Sequence, residues 1–191
     1  NYDQYPMLYD QAYHLQISNR ILGRWEWEPF HQGLAFSFRP ELVPGLAAIE
    51  LFWTGEIDNV DYVPIVLVCA SGWALHNLAD LFVSTHIGFV APMVFLLLPV
   101  IIQYSPTLLL DIPVAGMIMS VLFILKNSNT ECKRFFVTLG ILSACIGLTK
   151  YPYFYIGPMI MIVLLWEKRH VEAKYTLLGY ISISGLFLLK N

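Results

Sequence analysis

Charged side chains are scarce in this chain: Asp, Glu, Lys and Arg make up 13% of its 191 residues, against about 25% in an ordinary globular protein. A hydrophobic share of 57% and a mean hydropathy of +0.60 accompany that scarcity. Together they exclude an ordinary water-soluble fold and point to an integral membrane protein, in which lipid provides the apolar surroundings. Positive charge is in short supply as well. Eleven Lys and Arg against 14 Asp and Glu give a net charge of -3, and no basic cluster is dense enough to neutralise a nucleic-acid backbone. Nucleic acid is therefore not an expected partner. The three cysteines, Cys69, Cys132 and Cys145, are odd in number and far apart, so neither a disulfide framework nor a zinc signature is present.

What charge there is falls unevenly. Residues 1–61 hold nine acids and three bases, a net of -6, and the remaining residues net +3. Eleven of the first 53 residues are aromatic, among them Trp25, Trp27 and Trp53; such rings settle where hydrocarbon meets water. Two regions follow from this division: 1–61 as an interfacial region and 62–191 as a transmembrane region of about six spans.

The second region alternates apolar runs with short polar breaks. Runs at 62–79, 81–110, 112–125, 135–149, 151–166 and 175–189 predict five or six helices, with the long second run divided near Ser84, Thr85 and His86. The later runs are shorter than the ~20 residues that cross ~30 Å of hydrocarbon, so each must draw on flanking residues. For one of them Ser105 and Pro106 supply an N-cap and a first helical residue. A helix over 107–126 is then expected, with Asp111 about one turn inside it.

Lys and Arg in short loops favour the cytoplasmic side. Lys126, Lys133 and Arg134 mark one such loop, and Lys168, Arg169 and Lys174 mark another. Asp111 and Lys150 are then expected on the outer face. The apolar segment 42–53 is too short to cross, at ~1.5 Å per residue, and it carries Glu50. It is expected to lie along the membrane surface, with Gly55 as its stop. Residues 1–41 and Asp111 then share the outer side.

Few residues remain that could carry chemistry. Asp10 precedes 11–22, where Tyr13, Ile17 and Ile21 recur at helical spacing before Gly23; it suits an N-cap, and equally a general base that takes a proton from an acceptor hydroxyl. Asp111, an ionisable group in a membrane helix, is a functional candidate by default, although an acid near a helix N-terminus is also favoured by the dipole. His14 follows Asp10 by one helical turn and could form a proton relay or help hold a divalent cation. Lys150, Arg20 and Arg24 could each neutralise a phosphate, and snorkelling to the interface accounts for Lys150 equally well.

The order of short motifs resembles a known family. Tyr9-Asp10-Gln11-Ala12-Tyr13-His14, Ile21-Leu22-Gly23, and Arg39-Pro40-Glu41-Leu42-Val43-Pro44-Gly45-Leu46-Ala47 are similar to the first outer loop of polyprenyl-phosphate-sugar-dependent glycosyltransferases. These are the membrane enzymes related to protein O-mannosyltransferases and to the lipid A aminoarabinose transferase. Ser105-Pro106 with Asp111-Ile112-Pro113-Val114-Ala115 is similar to the family's second acidic motif, and Gly147-Leu148-Thr149-Lys150-Tyr151 to its Gly-Leu-x-x-Lys-Tyr helix end. Gln11 stands where the family usually has Glu, and Val43 where it usually has an aromatic residue.

That resemblance implies an all-α, polytopic transmembrane helix bundle of GT-C type, with membrane-surface helices in its outer loop. The chain would be incomplete at both ends: a first transmembrane helix would precede Asn1 and several would follow Asn191. The implied reaction moves a sugar from a polyprenyl-phosphate donor, dolichyl or undecaprenyl, to a glycan, lipid or protein acceptor on the extracytoplasmic face of a plasma or inner membrane. Asp10 and Asp111 would be the catalytic acids, and Lys150, Arg20, Arg24, His14 and Tyr13 the substrate contacts, with membrane lipid around them. A divalent cation is a candidate cofactor. The rival reading is a transporter or channel with Asp111 in an ion path; a relay normally needs several such groups, and the later spans offer no other near mid-membrane.

Overall fold

The computed structural model describes residues 17–18, 42–54, 62–83, 88–104, 110–127 and 133–190. Every regular element among them is helical. In chain order they are α1 (Leu42–Thr54), α2 (Tyr62–Asp80), α3 (Val90–Leu97), α4 (Pro99–Tyr104), α5 (Asp111–Asn127), α6 (Lys133–Thr149), a 3-10 turn (Tyr151–Tyr153), α7 (Ile156–Trp166) and α8 (His170–Lys190). The all-α expectation holds for these residues. Of the helix expected over 11–22, Ile17 and Ser18 are helical, and the remainder lies outside the described residues.

Only α2, at 19 residues, is long and apolar enough among the described helices to cross a membrane. α8 is longer, at 21 residues, but includes His170, Glu172 and Lys174 in its first turns. Of the run 81–110, expected to supply most of two spans, the described residues show the short pair α3 and α4. Their break falls at Leu98, whose backbone is extended (φ -60°, ψ 129°). Pro99 dictates this, because a proline ring crowds the residue before it out of the helical region.

Helix directions follow from side-chain contacts. Leu110, just before α5, packs on the same buried stripe of α1 as Val63 and Leu67 near the start of α2, and Ser71 Oγ, which donates to the Leu67 carbonyl at 2.7 Å, also lies 3.1 Å from the Ile112 carbonyl, so α2 and α5 run parallel. A β-carbon at Gly116 would collide with Ser71, which shows how closely these two helices approach. α6 and α8 also run parallel. Gly140 and Gly179 meet at their crossing, and Lys133 lies over the Tyr175 ring while Arg169 lies over that of Phe136. The antiparallel α7 joins them through short connections.

The larger apolar core joins Val114 and Val121 of α5 to Phe136, Leu139 and Ile146 of α6, with Ile160 and Leu164 of α7 and Ala173 of α8. Tyr180 ties the middle of α8 to the turn before α7. Its hydroxyl donates to the Phe154 carbonyl at 3.0 Å, and the two rings meet edge to face. Tyr180→Phe should lower stability by about 1 kcal/mol, the net worth of one such hydrogen bond, read as a thermal midpoint in detergent. An unchanged midpoint would show that the bond adds nothing.

α1 is held at the start of α2. Val43, Ala47 and Leu51, one helical turn apart, form a buried stripe against Val63, Leu67 and Leu110. Glu50 is 8% exposed, and its two carboxylate oxygens accept from the backbone N–H groups of Tyr62 and Val63, each at 2.7 Å. Those groups open α2 and have no partner within the helix, and the positive end of the helix dipole favours the carboxylate. Glu50→Ala should cost about 2 kcal/mol, because it removes two charge-assisted hydrogen bonds and leaves their donors covered. Chemical denaturation of wild type and variant measures this, and equal midpoints would refute it.

Candidate functional site

Antiparallel packing of α5 and α6 brings the start of one beside the end of the other. Asp111 is the first residue of α5, where the dipole favours negative charge, and Lys150 directly follows α6, where it favours positive charge. The two side chains pair, Lys150 Nζ donating to Asp111 Oδ1 at 2.5 Å. The lysine side chain is 36% exposed and the aspartate 68%, so the pair is open to solvent.

Two residues singled out in the sequence, 39 positions apart, thus meet at one point. The helix starts later than expected. Asp111 is the first helical residue instead of lying one turn inside, Leu110 is a bend, and 105–109 lie outside the described residues. Pro113, in the first turn, needs no hydrogen-bond acceptor behind it and so suits a start at Asp111.

Lys150 is fixed from its backbone. Its N–H donates to the Ile146 carbonyl at 3.0 Å, and its own carbonyl accepts from Tyr153 at 3.0 Å, so the chain turns out of α6 straight into the 3-10 turn. Thr149 is fully buried and its hydroxyl donates to the Cys145 carbonyl at 2.8 Å. A β-carbon at Gly147 would press on Phe154, which explains the glycine. The Gly-Leu-Thr-Lys sequence therefore builds a tight helix exit that presents one ammonium group, with the rings of Tyr153 and Tyr155 stacked obliquely just beyond it (centroids 6.4 Å apart).

The same end carries α1. Leu110, next to Asp111, packs on the buried stripe of α1, whose opposite side exposes Ile49, Phe52 and Trp53. α1 and the Asp111–Lys150 pair therefore share one end of the helix assembly. Asp10, Tyr13, His14, Arg20 and Arg24 lie outside the described residues.

A second acidic group was legible in the sequence but not singled out. His76 and Asp80, one turn apart near the end of α2, pair at 3.6 Å, and the edge of the Phe89 ring meets His76. Their i, i+4 spacing was the available signal. No cluster of three or more His, Cys, Asp or Glu that could hold a metal ion occurs among the described residues.

Fold and site together define a helical protein with one segment fit to span a membrane and an ion pair where two antiparallel helices end. Comparison of the chain with known protein families, characterised proteins and solved structures gives no match.

Proposed function

We propose that this chain is part of a multi-pass membrane glycosyltransferase that takes a sugar from a polyprenyl phosphate and delivers it to an acceptor at the extracytoplasmic face. The Asp111–Lys150 pair carries the reading. Two residues from separate motifs of the resemblance, with no sequence proximity, lie in contact, as parts of one site must. The broad exposure of Ile65, Val66 and Trp73 on α2 and of Met159, Ile162 and Val163 on α7 suits lipid better than water. On α1, Ile49, Phe52 and Trp53 suit the membrane surface.

The chemistry divides among named groups. Asp10 accepts the proton of the acceptor hydroxyl as its oxygen attacks the anomeric carbon. The bond from that carbon to the phosphate oxygen breaks, and the lipid phosphate leaves with the electron pair. Lys150, with Arg20 or Arg24, neutralises the departing charge. Asp111 holds the Lys150 ammonium at the rim and orients it. Attack opposite the leaving phosphate inverts the anomeric centre.

The test uses the full-length protein with a panel of polyprenyl-phosphate sugars, comparing wild type with Asp10→Asn and Asp111→Asn. Transfer lost in both at normal expression is the expected result. Undiminished turnover in Asp10→Asn would remove the base. Ion flux into proteoliposomes that Asp111→Asn abolishes would replace the transferase with a transporter.

A further inference from the structure

The opposite end of the helix assembly, away from the Asp111–Lys150 pair, concentrates positive charge. The described residues of the turns after α5 and α7, with the adjoining helix ends, hold six bases (Lys126, Lys133, Arg134, Lys168, Arg169 and Lys174) against the two acids Glu167 and Glu172. Both acids are committed to one base: Arg169 pairs with Glu167 at 3.5 Å and with Glu172 at 3.3 Å. Its guanidinium also lies 5.3 Å from the centre of the Phe136 ring. Arg169 therefore works as a strut, binding the α7–α8 turn to the first turn of α6. Lys168 is its neighbour in the chain, and Lys133 stands one turn before Phe136 with its ammonium 5.6 Å over the Tyr175 ring. The strut thus brings the turn that carries Lys168 to the helix start that carries Lys133 and Arg134, all three of them exposed.

The backbone at Lys168 is unusual. Its φ is 61°, in the left-handed region where an L side chain costs about 1–2 kcal/mol and where helices commonly end on glycine. The Lys168 and Arg169 N–H groups close the turn by donating to Leu165 and Leu164, at 3.0 and 2.8 Å. Glycine would make those same bonds without strain. The turn is closed by backbone bonds, which leaves the exposed Lys168 side chain outside them, at the C-terminal end of α7 where positive charge is favoured.

The adjoining surface is apolar. Met159, Ile162, Val163 and Trp166 of α7 are exposed, Trp166 to 88%, and they lead along the helix to Lys168. A strip of hydrocarbon surface that ends in an aromatic ring and then in cationic groups matches one kind of molecule, an amphiphile with acyl chains and an anionic head. We infer that this end holds the headgroup of an acidic phospholipid, its phosphate between Lys168, Lys133 and Arg134 and its chains along α7. The inference rests on the membrane placement proposed above and on none of the transferase chemistry.

The experiment reconstitutes the full-length protein into bilayers of phosphatidylcholine alone or mixed with phosphatidylglycerol, then extracts it gently and measures retained lipid by native mass spectrometry. Phosphatidylglycerol should be retained in preference to phosphatidylcholine. Each surface base contributes about 1 kcal/mol to such binding, so Lys168→Gly should lower the preference about fivefold while thermal stability stays level or rises. Lys133→Gln with Lys168→Gln should lower it on the order of tenfold or more. A wild-type protein that enters phosphatidylcholine bilayers but retains both lipids alike overturns the lipid site and leaves the membrane placement standing. Retention unchanged in Lys168→Gly and in the double variant also overturns it. A protein that enters neither bilayer overturns both.

Discussion

Gly140→Leu should abolish the folded state of the full-length protein at temperatures where wild type is stable. At the crossing of α6 and α8, a β-carbon on Gly140 would fall on the Thr176 carbonyl and the Tyr180 amide nitrogen, both backbone atoms. Gly179 faces the Val137 carbonyl and the Ile141 nitrogen in the same way. The two helices touch main chain to main chain, so no change of rotamer makes room and one helix must move away. Overpacking of a tight core costs about 1–3 kcal/mol even where side chains can yield, so more than about 3 kcal/mol is expected here. Helix pairs within lipid depend on such small-residue contacts, because burial of apolar surface gives them little drive to associate. Gly185→Ala is the control. Its added carbon would meet only the Ile181 side chain, at an ordinary 3.7 Å, and alanine favours a helix over glycine by roughly 1 kcal/mol. Thermal scans in detergent should therefore show Gly140→Leu collapsed and Gly185→Ala level with wild type or above it. Equal midpoints for all three would mean that α6 and α8 do not cross at these glycines.

Asp10→Asn should lower the transfer rate by roughly 10²–10⁴, the usual worth of a positioned general base, with expression and thermal midpoint unchanged. Asp111→Asn separates rate from stability more sharply. Its partner Lys150 is 36% exposed and Asp111 itself 68%, and solvent-exposed ion pairs contribute about 0–1 kcal/mol. The variant should therefore unfold within about 1 kcal/mol of wild type while its transfer rate falls at least about tenfold, an asparagine being unable to hold the ammonium by charge. Single-turnover assays beside thermal scans measure the two effects. A variant that loses stability and rate in proportion would make Asp111 a structural residue. Impermeant thiol reagents add a topological check: cysteines placed at 10 and at 111 should be labelled from the same side of the membrane.

Much of the helical architecture could be read from where charges interrupt apolar runs, because a membrane or a core tolerates few of them. The segment 42–53 reads as a short helix, and α1 spans Leu42–Thr54. The run 112–125 reads as the body of α5, and 135–149 as that of α6. Proline chemistry was harder to weigh. Pro106 suggested an early start for α5 that the bend at Leu110 contradicts, and Pro99 divided an apolar run that looked continuous. The role of Glu50 was hidden as well. Its partners are backbone N–H groups 12 and 13 positions away, and no side-chain pattern reports where a backbone donor will come to rest. Asp111 and Lys150 were each visible as a charge beside an apolar run. Their contact depends on the antiparallel return of α6, which the alternation of basic and non-basic loops did imply. Strain at Lys168 left no trace in the sequence, where the residue reads simply as one more cation.

Glu50 has a mechanical consequence. Its bonds fasten α1 to the first residues of α2, and Ser71 of α2 lies against the opening turns of α5, close to Gly116 and within 3.1 Å of the Ile112 carbonyl. A tilt of α1 that leaves these contacts intact drags the whole rod of α2 along and tugs at the residue next to Asp111. α1 and the carboxylate that opens α5 are therefore geared together, like a handle and a latch.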